Sequence, residues 1–196
     1  MKKITLILVG FSMFFFQSVK SEELYIGLDY LSNTIDSGVT NISSTLDEKD
    51  TGYSLFAGLP INESFDFEFS YNDFGKTSLS GVSGNRFIVD GVTYQFNATG
   101  TLSAAATSFG LAAKPKIEIA ESAMLYGKLG IHRWDSEFSI SSTTASADAS
   151  ETGTDVFFGG GIEVKFSGLQ ARVGYTQYTL DSDDIKSINA GLSYSF

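Results

Sequence analysis

Side-chain alternation constrains this chain more than any other feature. In FDFEFSYND (65–73), Phe65, Phe67, Phe69 and Tyr71 fall on one side of an extended chain, and Asp66, Glu68, Ser70 and Asn72 on the other. A strand turns successive side chains to opposite faces, so one face is wholly aromatic and the other carries two carboxylates. An aromatic row in water and an acidic row in a core are both unfavourable in a soluble protein. Helical periodicity is almost absent after residue 21, while period two recurs. LYIGLDYL (24–31), TGYSLFAGL (51–59), TLSAAATSFGLAAK (101–114), MLYGKLGIHRW (124–134), VFFGGGIEVKF (156–166), LQARVGYTQY (169–178) and SINAGLSYSF (187–196) bring the total to eight segments.

The start of the chain suggests where such strands belong. Lys2 and Lys3 precede an apolar run over residues 4–16, and Val19 and Ser21 suit signal peptidase positions. The run is too short to span a membrane as a helix and reads as a secretory signal peptide, residues 1–21, cleaved after Ser21. With no cysteine, neither a lipoprotein anchor nor a disulfide is available. Without Lys2, Lys3 and Lys20 the mature chain, residues 22–196, has ten basic and 23 acidic residues, a net charge of −13. That charge argues against nucleic acid and against attraction to anionic lipid. Later residues contain no long apolar run, so membrane insertion would have to use a closed barrel, in which every backbone group is paired.

Segment length and connection length agree with that solution. A tilted membrane-crossing strand needs about 9–11 residues. Residues 60–64, 114–122 and 167–168 read as short turns at one rim. Residues 32–50, 75–100, 136–153 and the shorter 180–186 read as polar loops at the other rim. FIVDGVTY predicts a hairpin around Asp90-Gly91, extending a strand pair above the membrane. The Ser/Thr/Ala-rich third loop is expected to be mobile. These features predict a single all-β domain, an eight-stranded antiparallel up-and-down transmembrane barrel in a Gram-negative outer membrane. The aromatic face would meet lipid and the carboxylates the barrel interior. Phe196 ends a last strand with Tyr194 and Leu192 at alternate positions, which resembles the signal read by the outer-membrane barrel assembly machinery.

From about residue 50 onward the chain resembles the transmembrane domain of outer membrane protein A. FEFSYNDFG, LAAKPKI, YGKLGIHRW, FGGGIEVKF, QARVGYTQY and AGLSYSF each resemble a strand of that barrel, in the same order. The family's peptidoglycan-binding domain is expected to be absent, as in small single-barrel relatives. Parity alone puts Glu68, Lys114, Lys128, Glu163 and Arg172 on the inward face. The resemblance implies that Glu68 pairs with Arg172 and Lys114 with Glu163, with Lys128 nearby. Such a network would be either a fixed polar plug or a narrow charge-switched gate, because interior charges that lose hydration must pair.

Signals for chemistry are weak. The one histidine, His132, lies in IHRWDSEF with Asp135, Ser136 and Glu137 after it, and no second histidine exists to complete a catalytic set. His132 and Trp134 are expected at the outer rim, with Arg133 reaching for headgroups. The carboxylates of TLDEKD and LDSDDIK lack EF-hand spacing and read as solvated loops, so no metal site or cofactor is expected. The mid-strand glycines 159–161 read as places of close approach. The expected role is structural and surface-interacting. Partners would be outer-membrane lipids, lipopolysaccharide, the assembly machinery and a host or cell-surface molecule at the long loops, with the protein a monomer. The alternatives are a narrow solute channel or, less favoured, a lipid-modifying enzyme.

Overall fold

Period two becomes a closed ring. The structure, a computed structural model, describes residues 23–36, 38–89, 91–181 and 183–196. The expected signal peptide and Asp90 of the expected turn lie outside the described residues. Eight long strands make the ring: β1 (Tyr25–Asp36), β4 (Lys49–Asn62), β5 (Phe65–Gly81), β8 (Gly100–Ala120), β9 (Ala123–Ser142), β10 (Ser146–Phe166), β11 (Leu169–Leu180) and β12 (Asp183–Ser195). Each pairs antiparallel with the next, β12 pairs with β1, and β5 skips the intervening short strands to pair with β8. The barrel therefore has no open edge, the condition for a sheet to cross a membrane.

The exterior is apolar where it should meet lipid. Phe69, Phe109, Leu129, Ile131, Ile188 and Leu192 all point outward and are exposed. An apolar surface this extensive would be an aggregation liability in water and is a lipid belt in a membrane.

The turns are tighter than the sequence suggests. Pro60–Asn62 and Lys114–Ala120 are strand, not loop. β8 continues because Lys114 and Lys116 still point inward to carboxylates, so the period-two pattern runs almost to the turn. Between β10 and β11 only Ser167 and Gly168 intervene, with φ of 45° and 89°. Two successive positive φ values give the tight hairpin turn whose twist suits antiparallel strands.

The opposite rim is more ordered than its composition predicts. The third loop is mostly strand, with β9 running to Ser142 and β10 starting at Ser146. Within it, the Ser139 hydroxyl pairs across strands with that of Ser103 on β8 at 2.9 Å. The FIVDGVTY hairpin forms, but not as an extension of the barrel strands. Its arms, β6 (Arg86–Val89) and β7 (Val92–Gln95), make a separate three-stranded sheet with β2 (Val39–Asn41) of the first loop. A further short strand, β3 (Thr45–Asp47), pairs with the upper part of β5. Leu79, Phe87 and Phe96 form a small core there, with Val39, Leu46, Val89 and Leu102 packed against it. The first two loops thus fold together as one structured cap.

Inside the barrel, large aromatics lie over glycines of the paired strand. Tyr25 is opposite Gly58, Phe56 opposite Gly27, Tyr126 opposite Gly161, Trp134 opposite Gly153 and Phe157 opposite Gly130. A Cβ built at Gly58 would lie 1.8 Å from the Tyr25 ring, and one at Gly27 2.2 Å from Phe56. Glycine leaves room for a ring to lie flat on the neighbouring backbone, which fills a narrow barrel without forcing it open.

Candidate functional site

Two layers of contrasting chemistry stand out in the barrel interior, accompanied by buried uncharged polar side chains such as Asn72, Ser108 and Asn189. The layer nearer the short turns is ionic. Arg172 on β11 donates from Nε and Nη2 to the two oxygens of Asp29 on β1, at 2.8 and 2.6 Å. Its Nη1 donates to Glu68 Oε2 on β5 at 2.7 Å. Lys128 Nζ on β9 donates to Glu68 Oε1 at 2.5 Å. Lys114 Nζ on β8 donates to Glu163 Oε2 on β10 at 2.6 Å and lies 3.8 Å from Glu68. Lys116 pairs with Asp66 at 2.6 Å, and the Tyr25 hydroxyl donates to Asp66 at 3.0 Å. Four acids, Asp29, Asp66, Glu68 and Glu163, face four bases, Lys114, Lys116, Lys128 and Arg172, all buried at the side chain. The layer is neutral overall, which buried charges require, and its bonds cross between strands on different sides of the ring. The Arg172 guanidinium lies 3.3 Å from the Phe56 ring centroid, so the rings over glycine also cover the ions.

All five charged residues singled out in the sequence, Glu68, Lys114, Lys128, Glu163 and Arg172, stand together in this layer. Asp29, Asp66 and Lys116 complete it; alternation in the sequence turns Asp66 inward with Glu68, whereas Asp29 and Lys116 were not singled out. The same alternation carries their signal: Asp29 shares the parity of Tyr25, Asp66 that of Glu68, and Lys116 that of Lys114.

The layer nearer the long loops is apolar. Leu31, Phe74, Trp134, Phe157, Tyr178 and Ile185 belong to one buried cluster across the lumen. Phe157 stacks on Tyr178 at 5.1 Å between centroids, and Phe74 meets Tyr178 edge-on at 4.8 Å. His132 lies within this layer at 0% exposure, edge-on to Phe157 and Tyr178. Its Nε2 is 2.9 Å from the Thr179 carbonyl oxygen. The expectation that His132 and Trp134 sit at the outer rim is therefore corrected: both point inward. They share the parity of Tyr126 and Lys128, and Trp134 finds a partner for its indole N–H in Asp155 on β10, at 2.7 Å. Arg133, of opposite parity, points out and is exposed. At the chain's end, Leu192, Tyr194 and Phe196 are exposed on the outer side. Among the described residues, no group of three or more potential metal ligands comes together.

A closed antiparallel ring with a lipid-facing apolar wall and an ion-paired interior defines an outer-membrane β-barrel. The chain belongs to the outer membrane protein beta-barrel domain family, matched over residues 4–196. The protein resides in the outer membrane. Its fold is similar to that of Ail, the attachment invasion locus protein of Yersinia pestis, with a TM-score of 0.55 and 20% identity over 89% of this chain and 99% of that one. It is also similar to Neisserial surface protein A, at 0.53 and 13% over 88% and 97% of the two chains. A third similar structure is the N-terminal barrel of Pseudomonas aeruginosa OprF, at 0.51 and 11% over 90% and 100%. These neighbours are OmpA-like eight-stranded barrels. No curated protein matches the chain.

Proposed function

We propose that this protein is a sealed barrel that anchors structured loops at the cell surface, where they bind other molecules and support the envelope. One observation carries this reading: an ion-paired layer and an aromatic cluster both cross the barrel interior, while the first two loops fold into a cap with its own core. A channel gated by ion-pair exchange could rearrange Glu68 among Arg172, Lys128 and Lys114, yet the rings of Phe74, Phe157 and Tyr178 would still close the lumen. The ionic layer serves as a fixed plug that ties the strands in register. Catalysis at His132 is disfavoured by its enclosure between rings. In the membrane the protein is a monomer surrounded by lipid and lipopolysaccharide, and Phe196, Tyr194 and Leu192 are the residues offered to the assembly machinery.

Charge shapes the choice of surface partner. Ail is known in complex with the heparin analogue sucrose octasulfate. This chain, at a net charge of −10 over its full length with exposed Asp135, Glu137, Asp148 and Glu151 on its longest hairpin, repels such a polyanion. The surface fits neutral or cationic partners. The test is a barrel whose residues 36–48, 82–99 and 138–150 are replaced by short turns, displayed on a non-adherent strain. The intact protein is expected to confer adherence to a protein-coated surface. The trimmed barrel is expected to keep its heat-shifted gel mobility and lose adherence. Equal adherence by both would contradict the proposal.

A further inference from the structure

The cap carries a sheet edge with nothing on it. In the order β2-β6-β7, β7 pairs with β6 alone among the described residues, and all four of its residues are exposed. The direction of its backbone groups follows from the register. Phe96 N–H donates to the Asn85 carbonyl at 2.8 Å, one pair beyond Arg86–Gln95. On the far side of β6, the Arg86 carbonyl accepts from Ile42 and its N–H donates to Ser43 Oγ. Bonded and non-bonded pairs alternate along an antiparallel ladder. Thr93 and Gln95 therefore turn their N–H and C=O away from β6, toward the empty side.

Natural sheets blunt such edges with charge, proline, bulges or a covering segment. Val92-Thr93-Tyr94-Gln95 has no charge and no proline, and three of its four residues favour strand. The edge also has an apolar face. Tyr94 stacks on Phe87 at 5.7 Å and 21°, on the side of the sheet where Phe87 joins the cap's core. Phe87 is buried, whereas Tyr94 and Val92 are 49% and 53% exposed. The cap's core is thus continued outward by two uncovered side chains in line with four free backbone groups.

We propose that β7 is a docking edge for an extended segment of a partner polypeptide, which adds as a fourth strand. This rests on the reading of the loops as a binding surface. The occupant's chemistry follows from the edge: main-chain bonds at Thr93 and Gln95 require an extended backbone without proline there, and the next-strand positions beside Val92 and Tyr94 require apolar side chains. Its alternate, outward positions carry lysine or arginine, because the chain's net charge of −10 favours a cationic partner.

The test uses the refolded full barrel in neutral lipid nanodiscs and a short blocked peptide of alternating Val and Lys. The peptide is expected to bind and to slow amide exchange at Thr93 and Gln95 while leaving Phe87 and Tyr94 unchanged. Thr93→Pro removes an outward N–H and no bond to β6, so it is expected to keep the heat-shifted mobility and weaken binding about tenfold or more. No binding, or binding without protection at those two amides, would overturn the proposal whether or not the variant folds. Binding that survives Thr93→Pro undiminished would also overturn it. A peptide-independent dimer that Thr93→Pro returns to monomer would overturn it in favour of a second copy on this edge. Loss of adherence on loop trimming would survive each of these results, so the two readings fail separately.

Discussion

Arg172→Ala is expected to destabilise the barrel by about 3–5 kcal/mol, because it leaves a buried carboxylate without its counter-charge. The carboxylate most affected is Asp29, which receives two of the three Arg172 bonds and is 2% exposed. Glu68 loses one bond but keeps Lys128 at 2.5 Å and Lys114 at 3.8 Å. This asymmetry specifies the compensating change. Arg172→Gln with Asp29→Asn replaces an ion pair by neutral hydrogen-bonding groups of similar size. The double variant is expected to recover a large part of the loss, whereas Arg172→Gln with Glu68→Gln leaves Asp29 stranded and recovers less. Urea unfolding of the refolded protein in lipid vesicles, followed by heat-shifted mobility, measures all of these. Strictly additive losses for the Asp29 pair would show that no coupling exists between the two residues.

Phe74→Ala combined with Phe157→Ala is the second large effect. Each ring is buried in the upper layer, at 0% and 3% exposure, and truncating a buried phenylalanine costs about 3–5 kcal/mol per site through lost burial and the cavity left behind. Both residues contact Tyr178, Phe157 by stacking and Phe74 edge-on, so their losses are coupled rather than additive. The doubly truncated barrel is expected to unfold at markedly lower urea. Where it remains folded, it is expected to admit water from the loop side as far as the ionic layer. Faster exchange of the Tyr178 and His132 amides, with those of Tyr25 and Arg172 unchanged, would show this. Unchanged stability would mean that the aromatic layer does not hold the upper barrel together.

Legibility in the sequence followed the strength of alternation. The eight crossing strands were readable because lipid and lumen impose opposite demands on alternate residues. The ionic layer was readable wherever a charge interrupts an otherwise small or apolar face, as Glu163 and Arg172 do. Asp29 carries the same signal, but it lies in the first strand, before the motifs that resemble outer membrane protein A begin. The aromatic layer was legible only through parity, because lipid and lumen both accept aromatics. In VFF, the chemistry of Phe157 and Phe158 does not separate them, but Phe158 shares the face of Ile162 and Val164, whereas Phe157 shares that of Glu163 and packs inside. Phe74 keeps the parity of Glu68, but just beyond it a bulge between Asp73 and Lys76, with Gly75 at φ of 78°, shifts the inward face of β5 to Thr77 and Leu79. The cap was hidden for another reason. Its strands are three or four residues long, and their partners lie in a different loop, so no local pattern encodes the β2–β6 pairing.

The central claim is that the barrel is sealed, and single-channel recording in a planar bilayer tests it most directly. Refolded mature protein and its Glu68→Gln variant are both expected to be electrically silent after insertion, with the heat-shifted mobility of a folded barrel. Silence is expected because the variant disturbs only the ionic layer and leaves the rings of Phe74, Phe157 and Tyr178 across the lumen. Discrete, recurring openings from the wild-type protein, altered in size or frequency by Glu68→Gln, would contradict the account and establish a pore gated by the interior charges.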